Sequence, residues 1–182
     1  MTLNLTAEHK MLLALATKAQ KNAHAPYSNF HVGAAILDEN AQLHASCNVE
    51  NAAYPLGQCA EAGAISAMVA SGSKQIKQIL IASPIRGGVS PTYVRSLMNV
   101  LFSKMNKIGG GPNAPYKMQW ASISGTTDDF CPPCGGCRQK IAEFANGQTE
   151  VHLATNKGEI KTVMFTELLP LAFGFDKEQA QS

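Results

Sequence analysis

The sequence predicts an α/β layered domain, with a sheet of about five strands flanked by helices. Three observations lead there. Stretches with apolar residues at helical spacing alternate with short apolar runs of strand length. Turn-forming Gly, Pro, Asn and Asp residues separate them. A chain of 182 residues, 45% hydrophobic and 15% charged, can bury a core and is expected to form a single domain over 1–182.

The first helix is expected over about 6–22. Thr6 caps it, Glu8 suits the positive end of its dipole, and Met11, Leu12, Leu15 and Ala19 form its apolar stripe. Ala25-Pro26-Tyr27-Ser28-Asn29 breaks it. Residues 30–37 and 42–47 read as two strands joined by the polar turn Asp38-Glu39-Asn40. A second helix follows over about 59–71, stopped by Gly72, and residues 76–82 form a short apolar strand. A further helix starts near Cys134 and reaches Ala145, before Asn146-Gly147. Residues 150–155 form a strand and 166–171 begin the last helical piece.

Residues 84–118 fit this alternation badly and read as an inserted helix followed by a Gly-rich loop. Ser90-Pro91 supplies a cap and a first-turn proline. Val94, Leu97, Met98, Leu101, Met105 and Ile108 share one face, and Gly109-Gly110-Gly111-Pro112 ends the helix. Residues 119–124 form a further candidate strand, and Trp120 reads as a packing residue.

A formal charge of +2 and three arginines (Arg86, Arg95 and Arg138) are poor material for gripping phosphates, which argues against a nucleic-acid partner. No secretory signal is expected: Glu8, His9 and Lys10 sit immediately before the short apolar run at 11–16. No apolar run reaches membrane-spanning length, so no membrane partner is expected. Five cysteines without a signal point to a reduced cytoplasm, with three thiols for metal and two spare.

The chemistry is concentrated in two short runs, Cys59-Ala60-Glu61 and Pro133-Cys134-Gly135-Gly136-Cys137. Cys134 and Cys137, three apart at the start of a helix, can turn their sulfurs to one ion, and Cys59 supplies a third from another helix start. Helix N-termini favour thiolates, which helps hold three negative sulfurs together. Zn²⁺ with three protein ligands keeps one position open for water. Glu61, two positions past Cys59, is then a carboxylate beside the metal that moves protons without binding it. The competing reading is a closed knot that adds Cys131 as a fourth sulfur. Two prolines stiffen Cys131-Pro132-Pro133-Cys134, and such a knot leaves Glu61 without a task. Cys131 is then a spare thiol and Cys47 a small buried apolar residue. None of the five histidines lies near either run, so none is assigned to the metal. Gly109-Gly110-Gly111 is no phosphate loop, because no Gly-Lys-Ser/Thr follows.

Beyond these runs the chain resembles the cytidine deaminase family over nearly everything except residues 84–118. The resemblance is carried by Ala25-Pro26-Tyr27-Ser28-Asn29-Phe30, Val32-Gly33-Ala34-Ala35, Cys47-Asn48-Val49-Glu50-Asn51-Ala52 and Tyr54-Pro55-Leu56-Gly57. It continues in Arg138-Gln139, Glu143-Phe144 and Glu167-Leu168-Leu169-Pro170, with Phe173 near the end. It implies a mixed sheet with zinc at two helix N-termini, and hydrolytic deamination of cytidine and 2′-deoxycytidine in pyrimidine salvage. It also implies that Asn48 and Glu50 bind the ribose hydroxyls, and period-two alternation would put both side chains on one face. Phe30 would lie against the base, the Ala60 amide would meet the pyrimidine carbonyl, and Phe173 would close the pocket of a neighbouring subunit. The carbonyl of Pro132 would accept a bond from the departing amino group. The partners implied are a small-molecule nucleoside and further copies of the chain: a homotetramer, with the insert leaving a dimer open.

Two departures shape the expectation. Members with three cysteine ligands usually carry arginine after the glutamate, and Ala62 stands there. Arg86, Arg138 and the two helix dipoles are expected to offset the thiolate charge instead. The inserted helix packs on its own domain or reshapes the pocket mouth or the subunit interface. Alternative activities are deamination of a modified or different aminated nucleoside or heterocycle, and a nucleic-acid-editing module on the same metal fold.

Overall fold

A computed structural model of the chain describes residues 5–84 and 130–173. The expected inserted helix, the glycine run, the candidate strand at 119–124, Trp120, Arg86 and Arg95 lie outside the described residues.

Helix α1 runs Ala7–Gln20, with the Thr6 hydroxyl accepting from the His9 amide at 3.2 Å. Its buried face differs from the expected stripe. Leu12 and Ala16 are fully buried, whereas Met11 is 48% exposed. The reason is a close approach to strand β1 (Gly33–Asp38). A Cβ on Gly33 would lie 2.0 Å from the Ala16 carbonyl oxygen and 2.7 Å from the Gln20 amide. The helix turns its small residue, not its largest, toward the strand.

Strand β2 (Leu43–Cys47) pairs antiparallel with β1, with Ala35 opposite Ala45. The turn between them is organised by Asp38. Its Oδ1 accepts from the Asn40 and Gln42 amides at 2.9 and 2.8 Å, and its Oδ2 lies 2.7 Å from His44 Nε2. Burial would raise this carboxyl. The hydrogen bonds from Ser73, His44, Gln42 and Asn40 outweigh burial and hold it at about 2.

Helix α2 (Ala60–Ala70) packs close against β2: a Cβ on Gly63 would lie 2.2 Å from Ser46 Oγ. Strand β3 (Ile76–Ser83) follows and pairs antiparallel with β1. After the undescribed stretch, helix α3 (Gly135–Phe144) leads into β4 (Glu150–Thr155), which runs parallel to β3 with Ile79 opposite Val151. Strand β5 (Ile160–Met164) and the short helix α4 (Phe165–Leu168) complete the described part. The five-stranded mixed sheet has the order β2-β1-β3-β4-β5.

Alternation divides each inner strand between two cores. Ile79, Ile81, Val151 and Leu153 face one cluster with Ala60, Met68 and Ile141 from α2 and α3. Leu80, Ala82 and Ala154 face the other, with Leu12 and Ala16 from α1. The expected α/β layering is therefore present. The strand at 160–164 was not foreseen: β5 is an edge strand with only Ile160 fully buried, so it lacks a strong apolar run. No helix among the described residues is long and apolar enough to cross a membrane.

Two expectations follow for stability. Gly33→Ala should cost about 1–3 kcal/mol in urea unfolding, whereas Gly147→Ala, where a Cβ meets nothing, should be close to neutral. Because the Asp38 pKa is depressed on folding, its stabilisation is complete above the ordinary aspartate value of 3.8 and is lost as pH falls toward about 2. Asp38→Asn should therefore destabilise the protein at pH 7, and its deficit should shrink steadily as unfolding is measured from pH 5 down to pH 2.

Candidate metal centre and active site

Cys59 and Cys134 occupy equivalent places, each the extended residue just before a helix, with φ,ψ of −75°, 152° and −64°, 164°. Their carbonyls accept the first helical bonds, from the Gly63 amide at 3.2 Å and the Arg138 amide at 2.9 Å. Cys137 lies in the first turn of α3 and is 1% exposed. The sulfurs of Cys59, Cys134 and Cys137 all lie within 4.8 Å of one another. Two helix N-termini thus present their unpaired amides and positive dipole ends to one cluster of sulfur.

The titration of this cluster shows why it suits a cation. The Cys137 thiol beside Cys59 favours the Cys59 thiolate and lowers its pKa to about 6, against burial and the charge of Glu61. Cys137 is pushed up, first by sharing its proton with Cys59 and then by burial and the same carboxylate. Three thiolates cannot coexist here without positive charge between them. Three converging soft sulfurs are the donor set of a tetrahedral zinc site with one position left over. The Cys131 thiol does not join them; it donates to the Pro132 carbonyl at 3.8 Å. Cys47, expected to be buried, is half-buried at the end of β2, and none of the five cysteines is in a disulfide.

Glu61 sits in the first turn of α2 and is 5% exposed. Burial raises its pKa, and its own backbone amide, the Cys137 thiol and Lys140 only partly offset that. A carboxyl whose pKa is raised beside a cluster of sulfurs is better able both to take and to return a proton than an ordinary, fully ionised carboxylate.

The charge balance departs from expectation. The Arg138 guanidinium is committed elsewhere, donating to the Pro133 carbonyl at 2.9 Å and the Leu168 carbonyl at 3.1 Å. It fastens the second cysteine run to the end of α4. The side chain whose positive charge favours ionisation of both Cys59 and Glu61 is Lys140. Sequence reading passed over this residue, although its position one turn beyond Cys137 was a usable signal. Ala62 and Lys140 line the same open groove of about 480 Å³ between α2 and α3.

The segment after β2 carries Asn48 and Glu50, and both side chains reach across to residues 27–32. Asn48 Oδ1 accepts from the Val32 amide at 2.8 Å, and Asn48 Nδ2 donates to the Phe30 carbonyl at 2.9 Å. Glu50 Oε2 accepts from the Tyr27 and Ser28 amides at 2.9 and 3.2 Å, and its Oε1 accepts from the Ser28 hydroxyl. Burial would raise the Glu50 carboxyl, but these bonds outweigh it and hold it ionised. The Ser28 oxygen in turn accepts from the Phe30 amide at 3.0 Å, so the pair fixes the loop bearing half-buried Phe30. Sequence alone showed none of this cross-bracing, because the partners are 16 to 23 residues apart. Ala60 is fully buried as the first residue of α2. Phe173, at the end of the described chain, is 70% exposed, and its carbonyl accepts from Gln139 Nε2 at 2.6 Å.

Known proteins resemble this chain in sequence and fold. Residues 6–153 match the family model described as the cytidine and deoxycytidylate deaminase zinc-binding region. A cytidine deaminase of Sporosarcina psychrophila is 33% identical over 162 residues, covering 89% of this chain and 88% of that protein. One from Halalkalibacterium halodurans is 28% identical, covering 91% of this chain and 94% of that protein. The crystal structure of cytidine deaminase from Burkholderia pseudomallei superposes with a TM-score of 0.64 at 28% identity, covering 93% of this chain and 100% of that one. The Mycobacterium tuberculosis cytidine deaminase structure gives 0.61 at 25% identity, with 93% and 100% covered. With a match running through both cysteine-bearing helix starts and most of the sheet, the chain belongs to the cytidine and deoxycytidylate deaminase family.

Proposed function

We propose that this protein hydrolyses cytidine and 2′-deoxycytidine to uridine and 2′-deoxyuridine, releasing ammonia, with Zn²⁺ held by Cys59, Cys134 and Cys137. The observation that carries this reading is a buried, upward-shifted Glu61 beside three converging sulfurs at two helix N-termini. A bound zinc would supply Lewis acidity, lowering the pKa of an attacking water to about 7.

The chain's own residues account for the proton transfers. Glu61 accepts one proton from the water as its oxygen bonds to C4 of the pyrimidine, and delivers that proton to ring N3. The second water proton passes through Glu61 to the exocyclic amino group. The C4–N bond then breaks, ammonia leaves, and C4 becomes the carbonyl of the uridine product. The Ala60 amide, at the free-donor end of α2, is assigned to the pyrimidine carbonyl, and its position as the first residue of the helix supports this. The Pro132 carbonyl is the acceptor assigned to the departing amino group.

Asn48 and Glu50 are assigned to the ribose hydroxyls, and Phe30 to the base. The hydrogen bonds already made by Asn48 and Glu50 support this role, because they pre-organise both side chains and the Phe30 loop. Each side chain retains hydrogen-bonding capacity beyond those bonds, an N–H on Asn48 and a lone pair on Glu50. An ionised Glu50 suits a free 3′-hydroxyl and disfavours a strand whose 3′-oxygen is esterified, in keeping with a nucleoside substrate. Five cysteines outside disulfides suit a reduced cytoplasm, the compartment assigned here, and pyrimidine salvage is the role assigned to the reaction. Exposed Tyr54, Leu56, Val69 and Phe173 support assembly into a homo-oligomer, with Phe173 closing a neighbouring pocket. One domain carries the insert at about 84–118. Ala62 and the groove it lines favour, as a second reading, a substrate with a larger amino or sugar substituent.

Ammonia release from cytidine, deoxycytidine, cytosine and a short oligonucleotide separates these readings. Turnover is expected with the two nucleosides; ammonia from the oligonucleotide alone would overturn the proposal. Glu61→Gln should lower kcat by about 10²–10⁴-fold with unchanged zinc content. Glu50→Gln should lower kcat/KM for the nucleosides by roughly tenfold to a hundredfold, and by less for free cytosine, which lacks the ribose but still meets the Phe30 loop that Glu50 braces.

A further inference from the structure

Strand alternation turns Glu150 and His152 away from the α2 and α3 layer, toward α1. Val151 and Leu153 pack with Ala60 and Ile141, whereas Ala154 packs with Leu12 and Ala16. His9, in the first turn of α1, meets the pair there. We propose that His9, Glu150 and His152 form a second divalent-metal site, on the opposite face of the sheet from the cysteine cluster, that ties α1 to β4. One ligand atom from each lies within 4.8 Å of the other two. Two imidazoles and a carboxylate match Zn²⁺ and the neighbouring ions Co²⁺ and Ni²⁺, not Mg²⁺ or Ca²⁺.

The independent observation is the state of His152. It is fully buried, its Nδ1 lies 2.8 Å from Thr162 Oγ1, and its Nε2 is buried with no hydrogen-bond partner. With the Nδ1 proton donated to Thr162, Nε2 turns a lone pair toward Glu150 and His9. A buried polar atom left in this way costs free energy unless something satisfies it. The Glu150 Oε2 atom is 3.7 Å away, too far for a hydrogen bond. That distance is close to the roughly 3.4 Å separating two ligands of a tetrahedral ion with bonds of about 2.1 Å. The His9 and His152 rings meet edge to face with centroids 4.5 Å apart.

The surroundings resemble the second layer of a metal site, in which ligands are oriented by their own hydrogen bonds. Thr162, directly across from His152 on β5, fixes that ring. Gln78, across from Glu150 on β3, donates from Nε2 to Glu150 Oε2 at 3.1 Å and to Glu8 Oε2 at 3.3 Å. The Thr6 cap holds the His9 amide and so sets the start of the helix. An ion bound here would join the first turn of α1 to the sheet and stabilise the folded state in proportion to its free concentration.

The test uses tag-free protein whose cysteine site has first been filled with zinc, titrated with Co²⁺. The expected result is one further Co²⁺ per chain, with visible d–d absorption and no near-UV sulfur charge-transfer band. Saturation should raise Tm by on the order of 5 °C at a hundredfold excess over Kd. His9→Ala and Glu150→Gln, both at partly exposed positions, should each weaken this ion at least about tenfold while ammonia release and bound zinc stay as in the parent protein. Absence of the extra ion, unchanged affinity in both variants, or a sulfur charge-transfer band would each overturn the proposal. None of these outcomes depends on which nucleoside is deaminated.

Discussion

The structure depends on one electrostatic constraint: three sulfurs and a buried carboxyl must share a few ångströms at the ends of two helices. Sulfur so crowded cannot ionise fully by itself, as the opposite displacements of Cys59 and Cys137 show. Positive charge must converge from several directions. The N-termini of α2 and α3 provide part of it, Lys140 adds more, and a three-thiolate set has the donor chemistry to take a divalent ion for the rest.

The sheet is what brings those helix ends together. Strands β3 and β4 are parallel neighbours, and each is preceded by a helix joined to it through a short connection. Both helices therefore return past the sheet in the same sense, and both begin near the carboxyl ends of the parallel pair. Ligand sites in open α/β sheets gather at that edge for the same reason. The close approaches at Gly33 and Gly63 keep the helices tight against strands, so the sulfurs are carried on a rigid frame. Arg138 serves this frame: by bonding the Pro133 and Leu168 carbonyls it fastens one cysteine run to the last helix.

Much of this was legible in the residues. The caps at Thr6 and the two cysteine runs marked helix starts within a residue, because capping and turn chemistry act over a few positions. The strand at 150–155 was legible because β4 is buried along nearly its whole length. Strand β5 was not, because an edge strand buried only at Ile160 has no strong pattern of its own. The face of α1 was misjudged for a related reason: periodicity gives a stripe, but contact with Gly33 decided that Ala16 rather than Met11 points inward. The bonds of Arg138 to the Pro133 and Leu168 carbonyls were hidden for the same kind of reason, since partners distant in sequence leave no local trace.

By itself the sequence determined the reactive groups and their spacing: the two cysteine runs, the glutamate between them and the helix starts that carry them. These are short-range matters of backbone geometry and ligand chemistry. Tertiary structure alone decided which charges face the sulfurs, how Asn48 and Glu50 brace the Phe30 loop, and that His9 meets His152 across 143 positions (152 − 9). Such choices follow from how whole elements pack, and packing is set by the shape of every surface at once.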